Sequence, residues 1–296
     1  MSGSIAEARS DRTEATRAVA QSFLHQAFVR NEFRAAYVAH AAPDFIQHNP
    51  RIGDGLEAHR AYFDAMARNE PNGDNSRWAH VFDMVLVDDD LFAVFHHTYR
   101  DAEDPGKAVI DIWRVADGRI VEHWDVIQTI PKTSLHRNGI ACGIGESYEA
   151  ARALGDTLAR PTCGRPDPNA SREETLRVIA DYVAEVGRGD VRTAIERWFS
   201  ADYKQHSPTI PDGAQGAIAY LEREFGRGRD LMPTAGPARV VAEGDLVLFH
   251  RLVTYPGASG PSANMDIFRV TNGRISEHWD LKQPVPKTSA NTNGMW

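Results

Sequence analysis

Four consecutive residues, Glu-His-Trp-Asp at positions 122–125, place two carboxylates, an imidazole and an indole side by side, and the same four residues return at positions 277–280. A further aspartate precedes each group, Asp111 in one case and Asp266 in the other. Two neighbouring carboxylates raise the pKa of one of them, and burial raises it further. A carboxylate tuned toward neutrality can take a proton from a carbon next to a carbonyl group and return it elsewhere. The pattern therefore indicates proton-transfer chemistry on a carbonyl compound.

These side chains can act together only if a β-hairpin brings them to one face. The sequence around Asp117-Gly118 is typical of such a hairpin. A three-residue turn with a bulge would place Asp111 opposite His123, whereas a two-residue turn would place Trp124 opposite Asp111. An aspartate that is merely exposed or ion-paired near a strand end is the structural alternative. With the bulged turn, the predicted catalytic groups are Asp111, His123 and Asp125 in the first copy and Asp266, His278 and Asp280 in the second.

Other polar and aromatic side chains are candidates for the wall and mouth of the same pocket. The segments QHNP and QHSP each offer an amide and an imidazole, although a histidine there could simply hydrogen-bond its loop. The predicted substrate-binding residues are Gln47, His48, His97 and Trp113 in the first copy and Gln205, His206, His250 and Phe268 in the second. Histidines and carboxylates that face each other can also bind zinc or iron. No HxH, HExxH or CxxC spacing occurs, so we expect no metal.

The repeat extends through most of the chain. His123 and His278 are 155 positions apart, while His48 and His206, further upstream, are 158 apart. A period of this length indicates a duplicated domain rather than a solenoid, whose units have about 20–50 residues. In each copy, helical periodicity comes first and strand-like hairpins follow, which predicts an α+β fold. We predict a first domain at residues 1–145, a linker at 146–170 and a second domain at 171–296.

The overall composition excludes several classes of protein. A net charge of −8 and a pI of about 5.8 argue against nucleic acid and anionic membranes as partners. No apolar run approaches the roughly 20 residues of a membrane span, and the N-terminal stretch lacks a signal-like apolar core. Two cysteines do not make a disulfide framework, so we expect ordinary thiols in a reducing cytosol. These features together predict a cytoplasmic protein.

The motifs QHNP with Asp54-Gly55, DIWRVADGRIVEHWDVIQ and PKTS…NG resemble those of the SnoaL-like polyketide cyclases, within the nuclear transport factor 2-like fold. The second copy carries QHSP, DIFRVTNGRISEHWDLKQ and PKTS…NGMW. The resemblance implies a curved antiparallel sheet wrapped by helices into a cone around an apolar pocket. It also implies intramolecular aldol condensation without cofactor or metal. Family members usually form homodimers, so the resemblance implies an intramolecular pseudo-dimer, with Trp124 and Trp279 near its interface.

The resemblance also suggests roles for individual residues. The acid/base residue of the family corresponds to Asp125 and Asp280, directly after the tryptophan. Its partner is often a histidine fourteen residues earlier, where this chain has Asp111 and Asp266. The adjacent His123 and His278 are then candidates to supply the imidazole.

Three functions fit these observations. The first is a cyclase or a related enzyme of enol chemistry that acts on an apolar small carbonyl compound. The second is a dehydratase, isomerase or epoxide hydrolase, because one fold hosts many reactions. The third is a non-catalytic module that binds an apolar ligand or a protein partner.

Overall fold

The computed structural model describes residues 2–69, 77–226, 239–254 and 258–296. The chain forms two compact units. The first unit comprises Met1–Asp125, Gly145–Gly164 and Pro286–Trp296, and the second comprises Val126–Ile144 and Arg165–Val285. Each contains helices followed by a five-stranded sheet, which is the α+β order predicted from the sequence.

The helices of the first repeat begin where its apolar periodicity begins. Its elements are α1 (Ser2–Leu24), which continues as a π-helical turn (His25–Val29), α2 (Phe33–His40), β1 (Ala41–Gln47), α3 (Gly55–Arg68), β2 (Ala79–Asp88), β3 (Leu91–Tyr99), β4 (Lys107–Ala116) and β5 (Arg119–Thr129). A short helix, α4 (Tyr148–Leu154), lies in the predicted linker.

The second repeat has the same order of elements. They are α5 (Arg172–Gly187), α6 (Val191–Trp198), β6 (Phe199–Gln205), α7 (Gly213–Gly226), β7 (Arg239–Glu243), β8 (Leu246–Val253), β9 (Ser262–Thr271) and β10 (Arg274–Pro284). The hydroxyl of Ser171 caps α5 by accepting a hydrogen bond from the backbone N–H of Glu174. A helix that crosses a bilayer needs about 20 predominantly apolar residues, and none of the helices in the described ranges meets that need.

Each sheet carries one parallel strand at its edge, which the sequence analysis did not predict. The strand orders are β1-β5-β4-β3-β2 and β6-β10-β9-β8-β7. The strands β1 and β6 run parallel to β5 and β10, whereas β7, β8, β9 and β10 pair antiparallel in sequence. Apart from these edge strands, the sheets have the antiparallel pairing that the family resemblance implies. An edge strand with a single neighbour tolerates a proline, and Pro43 within β1 obscures the strand pattern.

The two apolar cores differ in the side chains that fill them. The first is dominated by aromatic rings: the rings of Phe23 and Trp113 have centroids 5.3 Å apart, and Trp113 stacks on Phe92 at 4.8 Å. The second contains more aliphatic side chains, such as Val178, Ile179 and Ile195. Rings thus occupy much of the space beneath the first sheet.

Each unit contains the segment that follows the sheet of the other repeat, so the units do not follow the predicted boundaries. In the first unit, the Asn291 side chain donates hydrogen bonds to the carbonyls of Asn49 (2.7 Å) and Ile52 (2.9 Å). In the second unit, Asn138 donates in a similar way to the carbonyl of Gln205 (2.9 Å). These terminal segments therefore hold the loops that follow β1 and β6.

The two cysteines, Cys142 and Cys163, are disulfide-bonded. The prediction of two ordinary thiols is therefore wrong. Sequence spacing does not reveal a single bridge, because bridging depends on how closely the fold brings the two backbones together.

We predict that Asn291→Ala lowers the free energy of unfolding by about 1–3 kcal/mol, because two buried carbonyls lose a hydrogen-bond donor. Urea unfolding followed by tryptophan fluorescence measures the effect. Lys287→Ala is the matched control, since Lys287 is exposed in the same segment. Equal stability of the two variants would contradict a structural role for the Asn291 bonds.

Candidate active site

The hairpin turn decides which side chains share a face. In the second repeat the turn has two residues, Asn272 and Gly273, with φ of 53° and 71°. Asn-Gly and Asp-Gly supply these positive φ values at low cost. A bulge between Ile275 and Glu277 then adds one residue to β10, so Asp280 pairs with Asp266 and His278 pairs with Phe268.

The predicted three-residue turn is therefore wrong, although the side-chain faces agree with the prediction. A two-residue turn alone would have brought Trp279 opposite Asp266. The bulge between Ile275 and Glu277 shifts the pairing of β10 with β9 by one residue. As a result, Asp266, His278 and Asp280 lie on one face. The first hairpin has the equivalent turn, with φ of 50° at Asp117 and 72° at Gly118.

In the first site, Asp111 is the centre of a buried hydrogen-bond network. Its two oxygens accept from Nε2 of His96 (2.9 Å) and Nε2 of His123 (3.0 Å). Burial acts to raise the pKa of Asp111, but the hydrogen bonds and charges of His123 and His96 outweigh burial and lower it. Asp111 is therefore the more acidic member of the carboxylate pair.

Gln47 orients the imidazole of His123. The side-chain oxygen of Gln47 accepts the backbone N–H of Asn49 (2.7 Å), so this oxygen can only accept from Nδ1 of His123 (3.0 Å). The contacts at both ring nitrogens, Nδ1 with Gln47 and Nε2 with Asp111, therefore fix the orientation of the imidazole. In the second repeat, Gln205 makes the equivalent bonds to Ser207 and His278 at 2.8 and 3.1 Å.

Asp125 has the environment of a carboxyl group tuned for proton transfer. It is only 5% exposed, and its Oδ2 accepts from the side chain of Asn49 (2.5 Å). Its Oδ1 is buried and finds no hydrogen-bond partner among the described residues. Burial, with a smaller contribution from the charge of Asp111, raises the pKa of Asp125 to about 6 despite the opposing effects of His123, Asn49 and Arg51.

In the second site, cations occupy the positions next to the carboxylates. Oδ2 of Asp266 accepts from Nε and Nη2 of Arg251 (3.1 and 2.9 Å), and Oδ1 lies 3.3 Å from Nε2 of His278. The ammonium of Lys282 lies 2.7 Å from Oδ2 of Asp280. Burial acts to raise the pKa of Asp266, but Arg251 and His278 outweigh it and lower the pKa.

The second site lies at the polar end of a cavity of about 320 Å³. Its apolar wall includes Tyr182, Phe199, Tyr220, Phe249 and Phe268, and its polar end includes Gln205, Arg251, Asp266, His278, Asp280 and Lys282. This volume is at the lower end of the range for small-molecule sites, about 300–1,000 Å³.

The space next to the first site is more closely packed. Trp113 stacks on His123 at 5.0 Å and donates to the hydroxyl of Tyr37 (3.1 Å), which in turn lies against His59. A cavity of about 300 Å³ in this unit is lined by residues such as Phe28 and His80, but Asp111 and Asp125 are not among its lining residues.

His48 and His206 lie outside the pocket, contrary to the prediction. His48 stacks on Trp124 (4.9 Å) and contacts Glu122 (2.9 Å), and His206 stacks on Trp279 (4.6 Å). Consecutive residues of an extended chain point to opposite faces. Because Gln47 and Gln205 point toward the catalytic face, the histidines that follow them point away.

His97 and His250 also lie on the opposite face. His97 contacts Asp83 (2.7 Å), and His250 accepts from Arg239 (2.9 Å). Their neighbours His96 and Arg251 contact the aspartates instead. The contacts of His96 and Arg251 with the aspartates were not predicted from the sequence, and neither were those of Asn49 and Lys282. Counting alternate residues outward from a correct pairing of β3 with β4 would have found His96.

The sequence profile of the SnoaL-like domain family matches residues 20–123 and again residues 179–278. The chain belongs to the SnoaL-like family. The two matches cover well over half of the chain and fall one on each repeat, which confirms two tandem SnoaL-like domains.

Several solved structures are similar to single SnoaL-like domains of this chain. An NTF2-like protein from Burkholderia xenovorans LB400 has 18% identity and a TM-score of 0.34, and the match covers 39% of this chain and 93% of the other. TsrD from Streptomyces laurentii has 18% identity and a TM-score of 0.32 over 39% and 92%. An NTF2-like protein from Mesorhizobium loti has 19% identity and a TM-score of 0.33 over 40% and 93%. No curated protein matches the sequence significantly.

We predict that the pH dependence of stability differs between wild type and Asp125→Asn. The pKa of Asp125 is about 6 in the folded state and about 3.8 in an unfolded chain, so the folded state binds this proton more tightly. The stabilising effect of the proton is complete below pH 3.8 and is lost as pH rises through about 6. The wild type should therefore lose up to about 3 kcal/mol relative to the variant across this window. Urea unfolding between pH 4 and 8 tests this, with exposed Asp44→Asn as the control, and parallel stability curves would contradict it.

Proposed function

We propose that the chain is a cofactor-independent SnoaL-like enzyme that catalyses intramolecular aldol condensation, or related enol chemistry, on a small polyketide-like carbonyl compound. One observation carries the proposal: a buried aspartate lies beside a second aspartate and an oriented imidazole on one sheet face, and this arrangement occurs in both repeats. The apolar cavity beside the second arrangement supports a small organic substrate.

The reaction begins with proton transfer to Asp125 or Asp280. The carboxylate removes a proton from the carbon next to a carbonyl group, the C–H electron pair forms a carbon–carbon double bond, and the carbonyl oxygen becomes an oxyanion. The enolate carbon then attacks a second carbonyl carbon of the same molecule. The oxygen of that second carbonyl takes the proton back from the aspartic acid, so the carboxylate is regenerated.

The remaining polar residues position these groups. Gln47 and Gln205 fix the ring orientation of His123 and His278, which in turn face Asp111 and Asp266. In the first repeat, the charge of Asp111 helps to raise the pKa of Asp125, and environments that push the pKa values of two carboxyl groups apart are a common way to assign acid and base roles.

Catalysis without a metal ion is part of the proposal. Asp111, His123 and Asp125 offer ligand atoms within 4.8 Å of one another, as do the equivalent residues of the second repeat. In the second repeat, the cationic groups of Arg251 and Lys282 already neutralise the two carboxylates, which disfavours a further cation.

We predict that dialysis against a chelator leaves turnover unchanged. Loss of activity that zinc or iron restores would contradict this prediction.

We predict that the double variant Asp125→Asn/Asp280→Asn loses turnover of a 1,5-diketone test substrate by about 10²–10⁴-fold, the usual contribution of a general acid or base. Asparagine keeps the shape of the side chain but cannot take the proton. The two single variants show how turnover is divided between the repeats, and Asp44→Asn serves as an exposed control. Wild-type turnover in the double variant would end the acid–base assignment and favour a ligand-binding module.

A further inference from the structure

The two repeats differ in charge at two positions next to their aspartates. The position of His96 in β3 corresponds to Arg251 in β8, and the position of Ile127 in β5 corresponds to Lys282 in β10, both at the repeat spacing of 155. Arg251 and Lys282 both line the cavity of the second unit. The second site therefore contains two fixed cations at positions where the first site has an imidazole and an alkyl side chain.

Lys282 lies on the catalytic face of its strand. Along β10, His278, Asp280 and Lys282 alternate, so their side chains point to the same side. The Lys282 ammonium is 2.7 Å from Oδ2 of Asp280, and its side chain is 28% exposed whereas that of Asp280 is 5% exposed. The ammonium thus lies between the buried carboxylate and the open part of the cavity.

Proton transfer to Asp280 moves a negative charge from its carboxylate to the substrate oxygen. Before the reaction, Asp266 and Asp280 balance Arg251 and Lys282. When Asp280 takes a proton from the substrate, its negative charge disappears and an equal charge appears on the substrate oxygen. Lys282 then has lost its counter-charge on Asp280 and can stabilise the new oxyanion. The cavity is therefore complementary to the enolate rather than to the neutral ketone, which is the requirement for catalysis.

The first site lacks an equivalent cation on this face. The residue two positions after Asp125 is Ile127, and His96 is bonded to Asp111 rather than to Asp125. The charges of His123 and of the exposed Arg51 act on Asp125 there, and the counterpart of Arg51 in the second repeat is Thr209. With Ile127 at the position of Lys282, proton transfer to Asp125 would leave the oxyanion without an equivalent ammonium beside it.

We propose that Lys282 is a catalytic residue that binds the enolate oxygen, and that the second repeat therefore carries nearly all of the turnover. This inference rests on the proposed function for its reaction. The stabilisation of an oxyanion next to Asp280 can be measured separately from that reaction.

The first experiment compares Lys282→Gln and Lys282→Arg in turnover of a 1,5-diketone. Glutamine still donates a hydrogen bond to Asp280 but carries no charge, so kcat should fall by about 10²-fold with little change in KM, as when one oxyanion donor is removed. Arginine keeps the charge and should retain much of the activity. Exposed Lys204→Gln is the matched control. Full activity in Lys282→Gln would overturn the proposal, because it would reduce Lys282 to a hydrogen-bond partner of Asp280.

The same series tests the division between the repeats. Asp280→Asn should lose a much larger share of turnover than Asp125→Asn. The reverse result, or equal losses in the two variants, would contradict the assignment of turnover to the second repeat.

The second experiment needs no turnover. A nitrophenol is a probe of oxyanion binding, because its ionisation changes its visible absorbance. The wild type should bind it with a larger ionised fraction than in buffer at the same pH, and Lys282→Gln should remove this increase while Lys282→Arg preserves it. If the increase in the ionised fraction depends on Lys282 but no diketone is turned over, the oxyanion site is confirmed and the proposed reaction is wrong. If the ionised fraction is the same in wild type and Lys282→Gln, the oxyanion site is wrong.

Discussion

Two carboxyl groups buried side by side on one hairpin face are the constraint on which both sites depend. A buried, unpaired carboxylate costs several kcal/mol, so the surrounding fold must provide partners or hold one group neutral. The fold provides partners from several elements at once. In the first repeat, His96 comes from β3, His123 from β5 and Asn49 from the loop after β1. The parallel edge strand is needed for this, because it delivers Gln47 to the imidazole.

The two repeats meet the same constraint by different means. The first uses imidazoles and an amide, and it leaves Asp125 with a raised pKa among closely packed rings. The second uses a guanidinium and an ammonium, which keep both carboxylates balanced next to an apolar cavity. Duplication has thus preserved the carboxylate pair while the groups that compensate its charge have changed.

Much of this arrangement can be predicted from the sequence. Helices and hairpins follow from the apolar spacing. Asp111, His123 and Asp125 share a face for any combination of turn and bulge that pairs Asp111 with His123 or with Asp125. His48 and His97 were assigned to the wrong face because a single position in register decides the direction of every side chain in a strand. The role of Lys282 could have been found by comparing the repeats, since Ile127 occupies its position in the first copy. The disulfide and the cavity depend on long-range packing, which local sequence patterns do not report.

The exchange of terminal segments has a consequence for biosynthesis. Chains are made from the N-terminus, and domains commonly fold as they emerge from the ribosome. The first unit includes residues 286–296, which follow the second repeat in the chain and whose Asn291 and Asn293 bind the backbone around Gln47 and Asn49. The first repeat can therefore adopt its complete structure only after the whole second repeat has been synthesised.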